Sequence, residues 1–288
     1  MTWIVGHLLA ALIGVSLGLI GGGGSVLALP ILVYVMGVPP KSAIAMTLVI
    51  VGTVSVLGLI PHWQAKNVSF KTAFIFGSAT MLGAFLGAKI ATLPVITASV
   101  QMTLFAVMML LAAVFMIYRS SQSVAADENL AFYPQPVCKY CWLWLMTEGL
   151  GVGVLTGLVG VGGGFAIVPA LVLLGKVPMK KAIGTSLLII ILNSITGFLG
   201  YLGKVPLDWN LMLSFIIAAS LGTIPGAYFA QFVPARKLQK TFGYFLLAVA
   251  TVVLVQNRYS SQSSKVSNHD SARMVQRSLR AKPYLGKL

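Results

Sequence analysis

The sequence predicts an all-α polytopic membrane protein in two homologous halves, each of about four transmembrane helices plus a short re-entrant helix. Three observations predict it. The chain is 58% hydrophobic and 9% charged with a mean hydropathy of +0.93, too little polar surface for a water-soluble domain. Apolar stretches able to cross roughly 30 Å of hydrocarbon recur along it. A glycine run followed by prolines and a lysine also occurs twice, at a fixed offset of 139.

Full spans are expected at 3–20, 44–60, 72–93, 98–118, 142–159, 182–202, 210–232 and 237–256. Met1-Thr-Trp leads straight into the first of them without a basic region or an evident cleavage site, so that span is expected to be kept. The first glycine run follows it as Gly18-Leu-Ile-Gly-Gly-Gly-Gly-Ser25, with Pro30, Pro39 and Lys41 beyond. The apolar piece 26–36 is too short to cross at 1.5 Å per residue. It is expected to be a half-helix, since irregular backbone at membrane depth survives only inside protein or against a water-filled cavity. The second copy reads Gly157-Leu-Val-Gly-Val-Gly-Gly-Gly164, with Pro169, Pro178 and Lys180 beyond, and its short piece is 165–175.

The match continues without a gap from Gly14 to Ala88, through Ser55/Ser194, Gly58/Gly197 and Leu82-Gly83-x-x-x-Gly87-Ala88 against Leu221-Gly222-x-x-x-Gly226-Ala227. Such agreement means internal duplication. The expected organisation is a first transmembrane repeat at 1–118, a cytoplasmic linker at 119–141, a second repeat at 142–256 and a basic, disordered cytoplasmic tail at 257–288.

The formal charge of +15 does not point to nucleic acid, because the cations sit in short loops and in the tail. With eight spans both termini share a side. The tail, with Arg258, Lys265, Arg273, Arg277, Arg280, Lys282 and Lys287, joins Lys66, Lys71, Arg119, Lys139 and Lys204 inside, twelve cations against eight outside. Counting the half-helices as spans makes each half odd-numbered and inverts the repeats. Arg273, Arg277 and Arg280 share a helical face suited to anionic lipid, although a tail acting only as a topology signal is the commoner case.

The glycine runs are the leading site candidates: Gly21, Gly22, Gly23, Gly24 and Ser25 in the first, Gly160, Gly162, Gly163 and Gly164 in the second. Glycine lets successive N–H groups point into one cavity, and a helix N-terminus just after each run would favour an anion. No Gly-Lys-Ser/Thr follows, and Val26 and Phe165 stand where a dinucleotide-binding loop needs its third glycine. The Gly-x-x-x-Gly pairs, Gly14/Gly18 and Gly153/Gly157 among them, read as helix-packing positions.

Within the spans, Thr47 and Ser186 are equivalent, as are Ser55 and Ser194; Thr53 and Asn193 add further polar groups. Hydroxyls in such helices often bond only to their own backbone. Asn193 is the sharper candidate, because an amide in hydrocarbon needs a partner. Lys41 and Lys180 either steer an anion toward the cavity or anchor at the interface. Glu148 and His7 lie near membrane boundaries and read as interfacial. Buried carboxylates, which a cation carrier would need, are scarce. Cys138-Lys-Tyr-Cys141 allows a membrane thiol-disulfide oxidoreductase as the alternative function, but two cysteines with no histidine beside them do not make a closed zinc site. No metal and no cofactor is expected.

The paired Gly-Leu-x-Gly-x-Gly-Gly motifs, the segments Pro39-Pro-Lys-Ser-Ala43 and Pro178-Met-Lys-Lys-Ala182, and the duplicated hydropathy resemble the sulfite exporter TauE/SafE family over most of 4–256. The resemblance implies a bacterial inner-membrane exporter of sulfite, sulfonates or other small sulfur-containing or organic anions, with no enzymatic activity. A secondary transporter is expected, its two breaks forming one site lined by Thr47, Ser186 and Asn193 and its halves rocking around it. Its partners are the small anion and the bilayer; a homo-oligomer is compatible with the sequence.

Overall fold

The computed structural model describes residues 2–91, 98–122, 141–159, 164–173, 175–203 and 205–255, and among them every regular element is helical. In chain order these are α1 (Thr2–Ile20), α2 (Gly23–Pro30) running into a π-helical turn (Ile31–Val35), α3 (Pro40–Gln64), α4 (Phe70–Ala91) and α5 (Ala98–Gln122). Then come α6 (Cys141–Val159), α7 (Gly164–Leu173), α8 (Met179–Tyr201), α9 (Trp209–Phe232) and α10 (Ala235–Val255). Among the described residues six helices are long and apolar enough to cross a membrane: α1, α3, α4, α8, α9 and α10. The two other expected spans are present as α5 and α6, with shorter apolar cores at Thr103–Tyr118 and Leu145–Leu158.

Local chemistry repeats with the sequence. Pro39 (φ −54°, ψ 137°) and Pro178 (φ −54°, ψ 139°) cap α3 and α8 with the same extended backbone, which proline pre-sets ahead of a helix. Asp208 caps α9 by accepting from Leu211 N–H at 3.0 Å, and Ser69, 139 residues earlier, occupies the corresponding place before α4. The short helices end alike: Val38 N–H donates to Leu32 O and Val177 N–H to Leu171 O, each at 2.9 Å. The turn that follows needs a left-handed residue, supplied by Gly37 (φ +70°) in one copy and Lys176 (φ +51°) in the other.

Contacts between helices set the direction of each. α1 runs parallel to α9, with Gly6 by Phe215, Gly14 by Ala219 and Gly18 by Thr223. α4 runs parallel to α6, with Gly149 by Phe76, Gly153 by Thr80 and Gly157 by Ala84. At these crossings a Cβ on Gly14, Gly18, Gly153 or Gly157 would overlap the backbone of the facing helix, so they are close-packing glycines. α3 and α8 cross antiparallel at the centre, through Gly52 against Ser194, Gly58 against Leu187 and Gly197 against Leu48.

The bundle therefore has a first end, where α1, α3 and α9 begin, and a second end, where α3 and α9 stop and α8 begins. Gln101 of α5 reaches the Leu158 carbonyl at the end of α6, and Gln239 of α10 reaches the Met116 carbonyl near the end of α5. Hence α5 stops and α6 starts at the second end, while α10 returns to the first. An eight-span chain would bring the borders of the 119–141 segment to the same end as α1's start. They stand at the opposite end because α2 reverses the chain, as a full span would; α7 does the same after α6.

Candidate functional site

The first break meets the start of α7 inside the bundle. Gly21 has φ +79°, and its N–H donates to Leu17 O at 2.8 Å, closing α1 in a backbone form that a side chain resists. A Cβ there would lie 2.8 Å from both Ser186 Oγ and Ile183 O of α8. Gly22 lies directly against the Gly164 backbone, and a Cβ on Gly164 would stand 2.7 Å from Ser25 Oγ and 2.8 Å from Ile190 Cδ1. The first break, the start of α7 and the middle of α8 thus converge around groups smaller than a methyl.

Placement corrects the expectation that the short helices start after the runs. α2 begins at Gly23 and α7 at Gly164, so the last glycines form the first helical turn in each copy. Gly24 packs on Ile13 and Leu17 of α1 rather than toward the convergence. Gly160, Gly162 and Gly163 lie outside the described residues.

The polar candidates divide. Ser25 donates to Gly22 O and Ser186 to Ile183 O, each at 2.8 Å, so both hydroxyls are bonded to local backbone while their oxygens face the meeting point. Thr47, Ser55 and Ser194 are buried, and their hydroxyl oxygens have no hydrogen-bond partner. Thr53 lies elsewhere: it lines an open groove of about 300 Å³ between α3 and α8 with Gly52, Ser194, Ile195 and Phe198.

Asn193 sits one turn beyond Ile190, buried at 2% exposure. Thr80 Oγ1 of α4 lies 3.1 Å from its Oδ1 and 2.8 Å from Gly77 O, and the Asn193 Nδ2 has no partner. A carboxamide can be turned over. In either orientation one of its two polar atoms stays unpaired. It borders a cavity of about 20 Å³ lined also by Thr156, Gly157, Gly197 and Tyr201, room for one water.

Lys180 is half of a structural bridge. Its Nζ donates to Gln231 O at 2.8 Å, in the last turn of α9, where a cation complements the helix C-terminus. The Gln231 side chain in turn donates to Pro61 O of α3 at 3.1 Å. Lys41 is exposed at the first end. His7 stacks on Trp3 with ring centroids 5.4 Å apart, near the helix surface, and Glu148 is half-buried early in α6. Cys141 opens α6, whereas Cys138 lies outside the described residues. Among the described residues no three His, Cys, Asp or Glu groups gather as metal ligands would.

One functional-type side chain escaped the sequence reading. His62, in the last turn of α3, is buried at 2% exposure; its Nε2 lies 3.0 Å from Gly18 O, and its Nδ1 has no partner. The offset of 139 pairs it with Tyr201. That pairing was the available signal.

A bundle of apolar helices with two interrupted segments meeting in its interior is a polytopic membrane protein of the transporter class. The chain belongs to the sulfite exporter TauE/SafE family, whose profile matches residues 7–257. It is 34% identical over 248 residues, 84% of this chain and 91% of the relative, to a "Probable membrane transporter protein" of Xylella fastidiosa (strain 9a5c). It is 25% identical over 248 residues, 85% of this chain and 96% of the relative, to the "Probable membrane transporter protein YdhB" of Bacillus subtilis (strain 168). No solved structure matches. The protein is thus a multi-pass membrane transporter of the cell membrane.

Proposed function

We propose that the protein exports a small, sulfur-containing or organic anion, and that the meeting of the two breaks is its binding site. The supporting observation is the contact of Gly22 with Gly164 beside Gly21, Ser25 and Ser186. Two short helices start there, offering free backbone N–H groups and positive helix ends in an interior otherwise lined by apolar side chains. Such a cradle favours an anion with several acceptor oxygens, as a sulfonate or sulfite has, over a cation. Thr47 and Asn193, with unpaired polar atoms on the central crossed helices, supply further hydrogen bonds when the halves move.

Each half on this reading comprises five segments related by the 139 offset, and the odd count inverts one half relative to the other. Helix directions then assign ten of the 20 Lys and Arg to the second end and three (Lys41, Lys89, Lys204) to the first, with the other seven in the tail. Only Arg258, Lys265 and Arg273 of that tail fall within about 20 residues of α10, the range over which loop charge sets orientation. Six cations against ten turns the second end, with the 119–141 linker, to the cytoplasm and the basic tail to the other face.

The test is efflux from proteoliposomes loaded in turn with sulfite, thiosulfate, methanesulfonate and acetate. The wild type should release at least one sulfur oxyanion faster than protein-free vesicles, and Gly22→Val should reduce that to the vesicle background with insertion unchanged. Unimpaired release by Gly22→Val would remove the site assignment. Release of none of the four probes by the wild type would remove the anion reading.

A further inference from the structure

We propose that His62 is the proton-binding site of the transport cycle, taking up a proton at Nδ1 and passing the change to the first glycine break through Gly18. The inference rests on the transport reading above, but its first test needs no substrate.

The geometry specifies the tautomer. A backbone carbonyl can only accept, so the Nε2 atom 3.0 Å from Gly18 O carries the hydrogen. The neutral ring then has its lone pair on Nδ1, the atom buried without a partner. That is an open proton-acceptor position inside the bundle. The next residue, Trp63, lines a surface hollow of about 380 Å³ with Gln64, Lys66, Val68 and Phe70 at the second end.

Coupling follows from the residue that His62 holds. Gly18 lies in the last turn of α1, whose final carbonyls lack partners within the helix, and Gly21 opens the break three residues on. His62 therefore ties the end of α3 to the last turn before the convergence. Protonation keeps the Nε2 donor and adds a second N–H at Nδ1 that has nothing to bond, together with a positive charge that is costly to bury.

The surrounding charges act in the same sense. Lys180 of α8 is held to Gln231, whose side chain bonds the carbonyl of Pro61, next to His62. Lys66 after α3 and Arg236 and Lys237 in the first turn of α10 are further cations at this end. The only other ionisable group on α1 is His7, at the opposite end of that helix, and α2 has none. No Asp or Glu lies on α1, α2, α3, α8 or α9. A cationic ring is opposed in this arrangement, so proton uptake favours one in which the α3–α1 tie is loosened. One proton enters from water and one leaves to water in each cycle, with no bond made to substrate.

The decisive experiment is nitrogen-15 NMR of the full chain in lipid nanodiscs, labelled at its three histidines (His7, His62 and His269), with His62 assigned by its absence from His62→Tyr. Tyrosine is the natural replacement, since Tyr201 fills the equivalent position. The expected spectrum shows a neutral Nε2–H ring at pH 9 that becomes doubly protonated within the range down to pH 5. A ring that stays neutral throughout overturns the proposal. In vesicles, with methanesulfonate as a probe that does not itself buffer protons, His62→Tyr and His62→Gln should each lower proton movement per anion at least tenfold. Wild-type proton movement in either variant also overturns it. If the wild type moves no methanesulfonate, whichever of the four probes it does release replaces it; if it releases none, the anion reading is at fault, and the titration alone decides the proton site.

Discussion

The two ends of the crossed α3–α8 pair carry one backbone plan with different contents. At the second end His62 reaches the carbonyl of Gly18, and Gln231 and Lys180 fasten the ends of α3, α9 and α8 together. At the first end Tyr201 and Gly157, the residues 139 positions on from His62 and Gly18, border a small cavity with Asn193 and Thr156. One end is closed by hydrogen bonds across four helices; the other keeps a void beside an amide with an unpaired atom. Positions 139 apart keep the helix crossings and prolines, while the buried polar groups differ. A carrier that alternates between faces needs two gates of different strength in any one state, and this structure has its stronger fastening at the second end.

The harshest way to break the comparison is at the crossings both halves share. Gly14→Leu and Gly153→Leu each push a side chain into the backbone of a facing helix, α9 in one case and α4 in the other. Overpacking a core costs about 1–3 kcal/mol when neighbours can shift; backbone shifts less readily. Both variants should lose most folded protein, read as the monodisperse fraction on size exclusion in detergent. Loss in one and not the other would mean that the two crossings are not equivalent.

A milder change separates the site from the scaffold. Gly21→Ala puts a methyl at φ +79° and within 2.8 Å of Ser186 Oγ. Left-handed backbone costs a non-glycine residue about 1–2 kcal/mol, so the protein should still fold. Anion efflux should nevertheless fall at least tenfold. Gly37→Ala is the control: its φ is +70°, with nothing within 4 Å of the added carbon, so it carries the strain without the intrusion. Equal efflux from the two alanine variants would remove the convergence from the mechanism.

Much of this architecture was legible beforehand, for physical reasons. Hydrocarbon thickness limits where a helix can lie, so the eight long segments and the two short ones stood where apolar runs allowed. Pro39 and Pro178 marked helix starts because a fixed φ and a missing N–H leave few other roles. The count of directional segments was not legible, because a short helix and a re-entrant loop have the same hydropathy. Nor did any periodicity reveal that Gly22 would touch Gly164, since an offset relates copies and says nothing about which surfaces meet. His62 was hidden behind Pro61, two residues past the expected end of its span at 60. Proline has no N–H to offer Leu57 O, four residues earlier; its own carbonyl accepts from Ala65 N–H at 3.0 Å and from the Gln231 side chain at 3.1 Å.

At the first end, Asn193→Leu tests whether the amide serves function or stability. Leucine is close in volume and removes the unpaired polar atom together with the contact to Thr80, whose hydroxyl keeps Gly77 O. A hydrogen bond has a net worth of about 1 kcal/mol, and an unpaired buried group costs a similar amount. Thermal stability should therefore change little, while efflux drops severalfold. A stability loss as large as that of Gly14→Leu would instead make Asn193 a structural fastening.

The smallest expected effect separates the two lysines that the repeat makes equivalent. Lys180→Gln removes a cation from the end of α9 but leaves a side chain able to donate, and the interaction of a charge with a helix terminus contributes about 0.3–1 kcal/mol. Lys41→Gln removes an exposed cation at the first end. The expected outcome is a melting shift of a degree or two for Lys180→Gln and none for Lys41→Gln, read by intrinsic fluorescence in the same detergent. If anion steering were the main role of both, the order would invert: efflux rates would fall together at low salt and recover no difference in melting. Unequal melting with equal efflux would show that the same residue, copied once, fastens a gate at one end and only faces solvent at the other.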